Sequence, residues 1–203
     1  MPGFDHDFWN SLYWPLRNIG RIAFPIFCFL LVEGFIHTSS VKKYLGRMIL
    51  FAFLSEIPFN LGISGKIINF DFQNVYWELV MGIAAMICLD VIEKKKLNYL
   101  IQVILRLSVI AVFALGAEAL NLDYGMYGII SIVALYVFRQ NKVPQLIVGA
   151  ISFCWERIAP LAFLPIAFYN GKRGRNIKLV FYIFYPAHLL VLYVIARVMG
   201  CQY

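Results

Sequence analysis

Two apolar stretches between residues 17 and 61 carry ionisable side chains at positions where a membrane helix would bury them. Each stretch is long enough to cross a bilayer, which takes about 20 apolar residues in a helix. An ionised group at the centre of such a helix costs about 2.5–3.5 kcal/mol on insertion scales, so it is kept where it pairs or functions. The residues concerned are Arg17, Arg21, Glu33, His37, Arg47 and Glu56.

The composition of the whole chain indicates lipid rather than water as its solvent. Hydrophobic residues make up 62% of the 203 residues, charged residues make up only 14%, and the mean hydropathy is +0.75. A soluble domain is about 45–50% apolar and about 25% charged. We therefore expect an integral membrane protein throughout.

The formal net charge of +7 does not indicate a nucleic-acid partner. The basic residues form short clusters between apolar runs instead of covering one polar face, which is the pattern of the positive-inside rule. The cysteines Cys28, Cys88, Cys154 and Cys201 are widely spaced and form no CxxC motif, so we predict neither a disulfide framework nor a metal site.

The order of apolar runs and basic turns predicts an all-α bundle of about seven membrane-spanning helices. Residues 1–16 are aromatic and acidic, so we expect an external or interfacial loop, followed by a single membrane domain over residues 17–203. Basic turns at residues 42–47, 93–96, 139–142 and 171–178 are placed in the cytoplasm. The predicted spans are residues 19–36, 44–61, 75–92, 99–120, 124–138 and 179–199, with residues 143–170 as an additional, irregular one.

Residues 143–170 do not fit one ordinary span. A helix of this length would be roughly 42 Å long at about 1.5 Å per residue, which is too long for one untilted crossing and short for two. The segment contains Glu156, Arg157, Pro160 and Pro165 and leads into the basic loop at residues 171–178. We favour two short helices broken near residues 155–160, which would make the segment broken or re-entrant, over a single long tilted helix.

Spacing on the first span places candidate reactive groups on common helix faces. Arg17 and Arg21 are four residues apart, and so are Glu33 and His37. One interpretation is a polar track in which a carboxylate orients a histidine while arginines bind an anion. The other is a structural ion-pair seam between packed helices. Arg47 and Glu56 lie more than two turns apart on the second span and would pair with other helices.

Two later segments carry further candidates. His188 lies about ten residues into the last span, near the bilayer middle, where it is either a general base or a satisfied core histidine. Tyr185 lies one helical turn before it. The loop YNGKRGR contains Asn170, Lys172 and Arg173 and can cradle a phosphate, although a plain positive-inside loop has the same composition.

Six sequence blocks from Arg17 to Tyr193 contain most of these residues. They are RNIGRIAFPIFCFLLVEGFIHT, KKYLGRMILFAFLSEIPFNL, QNVYWEL, DYGMYG, YNGKRG and KLVFYIFYPAHLLVLY. Together and in this order they resemble the TraX family of membrane proteins, whose named activity is N-acetylation of conjugative pilin. Family members begin with a further apolar span ending in an Asp-His-Ile-Gly motif, and we expect this chain to lack that span, because it starts within the loop that follows.

The resemblance implies an acyltransferase of the bacterial inner membrane that uses acetyl-CoA, or a longer acyl-CoA, from the cytoplasm. It implies that His188 or His37, oriented by Glu33 or Glu56, takes a proton from an amine or hydroxyl acceptor. Acceptors left open are a pilin-like peptide, a glycan and a small molecule. Donor or acceptor would be bound by Arg17, Arg21, Arg47, Asn170, Lys172, Arg173 and Tyr185. The alternatives are a proton-coupled transporter or lipid translocator, and a noncatalytic membrane partner.

Overall fold

A computed structural model describes residues 6–172 and 178–198, and its regular structure in these ranges is helical apart from a β-bridge between Gln73 and Leu122. The helices are α1 (His6–His37), α2 (Val41–Ser64), α3 (Val75–Lys94), α4 (Tyr99–Ala119), α5 (Gly125–Val137), α6 (Lys142–Ser152), α7 (Phe163–Ala167) and α8 (Lys178–Val198). A 3-10 turn at Ala159–Ala162 precedes α7. The predicted all-helical membrane bundle is confirmed.

Four of the described helices are long and apolar enough to cross a membrane. They are the Tyr13–His37 part of α1, then α2, α3 and α4. Helix α5 and the Tyr182–Val198 part of α8 are shorter apolar helices. One prediction differs from the structure, because residues 6–16 belong to α1 and do not form a loop. Helix α1 contains both Pro15 and Pro25. Proline is tolerated in the first turn of a helix or where a helix bends.

The chain divides into two compact units. The first contains residues 1–36 and 131–171, and the second contains residues 37–130 and 172–203. Within the first unit, Phe153 is fully buried and packs edge-on against Phe24. The Phe163 ring also contacts Phe153, at a centroid distance of 5.9 Å. The prediction that residues 17–203 form a single domain stays a prediction.

Residues 142–169 of the first unit form a helical hairpin that begins and ends at one place. Helix α6 ends at Ser152, residues 153–158 form an irregular turn, and α7 returns to Tyr169. The Lys142 ammonium donates to the Tyr169 carbonyl oxygen at 2.8 Å, which joins the two ends. The two short helices predicted for this segment are therefore confirmed, with the break between residues 153 and 158.

Gly149 allows the hairpin to close. A Cβ at this position would lie 2.3 Å from the Phe163 ring and 2.7 Å from Leu135, so only a hydrogen fits there. Ser131 anchors the far end of α6 by donating to the Ser152 carbonyl oxygen at 2.9 Å. These contacts pack α5, α6 and α7 closely.

The second unit is built around α2, which packs against both α3 and α8. Asn74 caps α3 by accepting from the Tyr76 amide, while its own amide donates to the Ala52 carbonyl oxygen at 2.9 Å and to Glu56. Aromatic rings join α2 and α3 to α8, because Tyr182 stacks on Phe51 at 4.7 Å and receives a hydrogen bond at its carbonyl from Tyr76.

Candidate functional site

The first unit contains a cavity of about 400 Å³ lined by both polar and apolar groups. This volume lies within the range of ligand pockets, about 300–1,000 Å³. Helix α1 contributes Phe29 and Glu33, and the hairpin contributes its two ends. The lining residues are Phe29, Glu33, Arg139, Gln140, Lys142, Gln145, Leu146, Ile166, Tyr169, Asn170 and Gly171.

Two cations and one carboxylate face this cavity. Arg139 follows α5 and is held by its stack over the Tyr136 ring at 4.1 Å and by a hydrogen bond to the Tyr136 carbonyl oxygen. The Lys142 ammonium has three N–H donors and donates one of them to the Tyr169 carbonyl oxygen. The Arg139 guanidinium has five N–H donors. Both groups can therefore bind an anion while they keep these contacts.

Glu33 forms the acidic side of the cavity. The Tyr169 hydroxyl donates a hydrogen bond to its carboxylate, and Tyr169 also packs edge-on against Phe29. Partial burial, and then the neighbouring Glu33 carboxylate, raise the pKa of Tyr169 above its ordinary value. The phenol therefore stays protonated and keeps Glu33 as the acceptor of its hydrogen bond.

Local structure fixes the cavity walls. Gln145 is 5% exposed and donates to the Leu135 carbonyl oxygen at 3.0 Å, which ties α6 to the end of α5. The chain leaves the cavity at Gly171, where φ is +72°, a left-handed conformation that glycine adopts at little cost. The cavity thus sits where α5, α6 and the end of the hairpin meet α1.

The structure brings two of the predicted site residues together, because Glu33 and Asn170 both line the cavity. Arg21 lies elsewhere in the same unit and forms an ion pair with Glu156 of the hairpin turn. Arg17 donates to the Tyr13 hydroxyl one turn away on α1. Arg21 is thus paired with a carboxylate of the hairpin turn, and the choice between a polar track and a structural ion-pair seam stays a prediction.

The remaining predicted residues belong to the second unit. Arg47 is exposed and lies over the Tyr44 ring at 5.9 Å, His37 is exposed at the end of α1, and Lys172 is exposed after the hairpin. Glu56 accepts hydrogen bonds from Asn74 and from the Trp77 indole, the latter at 3.2 Å. Arg173 lies outside the described residues.

His188 has a defined environment in α8. Its Nδ1 lies 2.9 Å from the Phe184 carbonyl oxygen, which can only accept, so Nδ1 carries the proton and donates. In the neutral ring Nε2 is then the proton acceptor. The ring stacks on Phe184 at 5.0 Å and meets Tyr185 edge-on. None of these contacts, nor those of Glu56 within the described ranges, joins Glu56 to His188.

A buried carboxylate in α3 was not among the predicted site residues. Glu78 is fully buried, and its Oε2 accepts from the Tyr124 amide at 3.4 Å, just before α5. Glu118 accepts from the Met126 amide at 3.3 Å. Both side chains therefore bind backbone amides at the start of α5. The Gly128 hydrogen leaves room for Glu78, because a Cβ there would lie 2.5 Å from its Oε1.

Sequence reasoning missed Arg139, Lys142, Gln145 and Tyr169 as cavity residues. Arg139 and Lys142 were interpreted as markers of the cytoplasmic side, and nothing in their spacing relates them to Glu33, which is more than 100 residues earlier. The available signal was Gln145, a polar residue one turn into an apolar helix. Within the described ranges, no three His, Cys, Asp or Glu side chains lie close enough to hold a metal ion.

The fold and cavity define a helical membrane protein with a polar pocket at the joined ends of a helical hairpin. The model of the TraX protein family matches residues 5–196, and the chain belongs to this family. It is 28% identical over 208 residues to the probable fimbrial assembly protein FimC, serogroup H1, of Dichelobacter nodosus, covering 87% of this chain and 81% of that protein. No solved structure matches.

Proposed function

We propose that this chain is an acyltransferase of the bacterial inner membrane that moves an acetyl group from acetyl-CoA to an amine, with a pilin-like peptide as acceptor. Two comparisons support the proposal, namely membership of the TraX family and similarity to a protein named for fimbrial assembly. The observation that carries it is the cavity of the first unit, whose lining includes the cations Arg139 and Lys142 and the carboxylate of Glu33. By the positive-inside rule this end faces the cytoplasm, where acetyl-CoA is found.

Each cavity residue has a chemical role in this proposal. Arg139 and Lys142 bind the negatively charged phosphates of the donor, and Asn170 and the Gly171 turn bring polar backbone groups close. When bound, acetyl-CoA supplies a thioester carbonyl to a nucleophile. Glu33, held by Tyr169, binds the acceptor ammonium and takes its proton, because only the neutral amine attacks. The new C–N bond replaces the C–S bond, and the thiolate leaves with a proton.

His188 is a second candidate base, because its Nε2 accepts a proton in the neutral ring. It lies in the second unit, so Glu33→Gln and His188→Gln must be tested separately. The base is the group whose replacement lowers the rate of transfer without lowering the affinity for acetyl-CoA. The proposal for Glu33 fails if only His188→Gln lowers the rate.

Donor binding is tested by thermal unfolding of the purified full chain with acetyl-CoA, CoA or ATP. Ligand at a hundred times its dissociation constant adds about 2.7 kcal/mol of apparent stability. We expect both CoA species to raise the unfolding temperature more than ATP does, and Lys142→Gln to reduce this rise. Lys66→Gln, in an exposed loop of the second unit, is the matched control. Equal shifts in the wild type and Lys142→Gln would contradict a donor site in this cavity.

One observation favours a transporter as the second candidate function. Transporters place their substrate sites at broken membrane helices, and the hairpin of residues 142–169 is such a segment. Uptake of a labelled substrate into proteoliposomes without acyl transfer would support this function over the first.

A further inference from the structure

The irregular turn of the hairpin lies deep within the membrane-spanning part of the first unit. Ser152 is ten residues from Lys142, about 15 Å along α6 at 1.5 Å per residue. The hydrocarbon core of a bilayer is about 30 Å thick, so a turn about 15 Å from the Lys142 end of α6 lies within the core.

Such a turn cannot face lipid. Non-helical backbone at membrane depth is tolerated only where protein covers it or water reaches it, because its polar groups need partners. Here Cys154 and Arg157 are exposed and not covered by protein. Arg157 also has no partner among the described residues, and a charged arginine in contact with lipid at this depth is costly. Water is the environment that fits both groups.

We propose that the turn at residues 153–158, with Arg17 and Arg21 of α1, lines a water-filled vestibule that binds an anionic group. The vestibule opens towards Tyr13 and Trp14, since Arg17 lies one helical turn from Tyr13 and Arg21 two turns. These segments carry three arginines and one carboxylate, Glu156, which pairs with Arg21, so the balance of charge is positive. This site is separate from the cavity at the hairpin ends and does not depend on the acyltransferase proposal.

The chemistry of the group is a carboxylate or phosphate, which a guanidinium binds through paired N–H donors. Arg21 is already engaged by Glu156 and has a side chain that is 35% exposed, whereas Arg157 is available. Arg157 is therefore the residue that receives the anion. The group comes either from a lipid headgroup or from a soluble ligand.

The vestibule is tested with Cys154 as a natural probe. The full chain carrying Cys28→Ala, Cys88→Ala and Cys201→Ala keeps this thiol alone and is placed in lipid nanodiscs. The rate at which a charged, membrane-impermeant methanethiosulfonate modifies Cys154 is compared with the rates in two control variants that lack Cys154. Lys66→Cys lies in an exposed loop, and Val112→Cys lies on α4, where Val112 is 66% exposed within an apolar span.

We expect Cys154 to react within about tenfold of the Lys66→Cys rate, as expected for a partly enclosed aqueous site, and far faster than Val112→Cys. A Cys154 rate as slow as that of Val112→Cys would overturn the vestibule. Cys154 itself is unchanged and the two controls share the Cys28→Ala, Cys88→Ala and Cys201→Ala background, so a folding defect of that background would affect all three rates alike.

The charge of the site is tested by comparing anionic and cationic methanethiosulfonates at Cys154. Arg157→Gln is expected to lower the ratio of the anionic to the cationic rate several-fold, while Arg197→Gln, on α8 of the second unit, leaves the ratio unchanged. An unchanged ratio in Arg157→Gln would overturn the anion site. Slower anionic labelling in phosphatidylglycerol than in phosphatidylcholine nanodiscs assigns the site to a lipid headgroup, and slowing by added pyrophosphate assigns it to a soluble anion.

Discussion

At the scale of single residues, Gly149 lies in a closely packed part of the first unit. Gly149→Ala is expected to lower the free energy of unfolding by about 1–3 kcal/mol, because its Cβ would overlap Phe163 and Leu135. Gly46→Ala is the matched control in α2, where a Cβ meets nothing within 4 Å. That control should be neutral or stabilising by up to about 1 kcal/mol. Thermal unfolding in one detergent measures both, and equal stability of the two variants would contradict the close packing.

The stability of the folded chain depends on pH through Tyr169, which lines the cavity. Its pKa is raised in the folded state, so the unfolded chain loses this proton first, near pH 10. The stability that Tyr169 contributes is complete below that pH and is lost as the pH rises above it. Tyr169→Phe should therefore lose less stability than the wild type between about pH 9 and 11. A steeper loss in Tyr169→Phe, measured by denaturation at fixed pH values, would contradict this assignment.

Single residues also show how far the site could be predicted from sequence. Glu33 was predicted as a site residue because a carboxylate inside an apolar span is costly unless it pairs or functions. Arg139 and Lys142 were not, because a cation beside a span obeys the positive-inside rule whether or not it also lines a cavity. The bond from Lys142 to Tyr169 depends on the closure of the hairpin, which no spacing reveals.

At the scale of elements, the hairpin predicts that its two ends are on the same side of the membrane. Lys142→Cys and Asn170→Cys should react with an impermeant thiol reagent from one side only, and from the same side. The measurement uses right-side-out and inverted membrane vesicles from cells expressing each variant in a cysteine-free background. Reaction of the two positions from opposite sides would show a complete crossing instead.

The start of α3 depends on Asn74 for more than a cap. Asn74→Ala should lower the free energy of unfolding by about 2–4 kcal/mol, because it removes the cap and leaves Ala52 and Glu56 without this donor. Asn98→Ala removes the corresponding cap of α4, a bond of 2.9 Å to the Leu100 amide. That exposed control should lose about 1 kcal/mol. Equal losses in thermal unfolding would contradict the added role of Asn74.

Helix positions were the most predictable elements. Apolar runs bounded by basic turns placed α2, α3, α4 and α5 to within a few residues of their observed ends. The start of α1 was placed too late, since aromatic and acidic residues at a membrane surface have the same composition in a loop or in a helix. Proline in the 155–165 region correctly indicated the break, because proline removes a backbone donor.

At the scale of the whole molecule, the chain alternates between its two units, since α1 and the hairpin belong to the first and α2 to α4 belong to the second. Hydropathy cannot predict this division, because every span has the same apolar character. Family membership, in contrast, could be predicted from sequence, since six blocks in a fixed order span nearly the whole chain, and the family match over residues 5–196 confirms it.

Acetyl transfer by the purified chain is the most direct test of the proposed function. Protein in nanodiscs is given labelled acetyl-CoA and a peptide with a free N-terminal amine, and the acetylated peptide is measured. We predict transfer by the wild type, a rate at least about 100-fold lower for Glu33→Gln, and an unchanged rate for Glu93→Gln, whose side chain is exposed outside the cavity. Wild-type rates in Glu33→Gln, or no transfer by folded wild type that binds acetyl-CoA, would contradict the account.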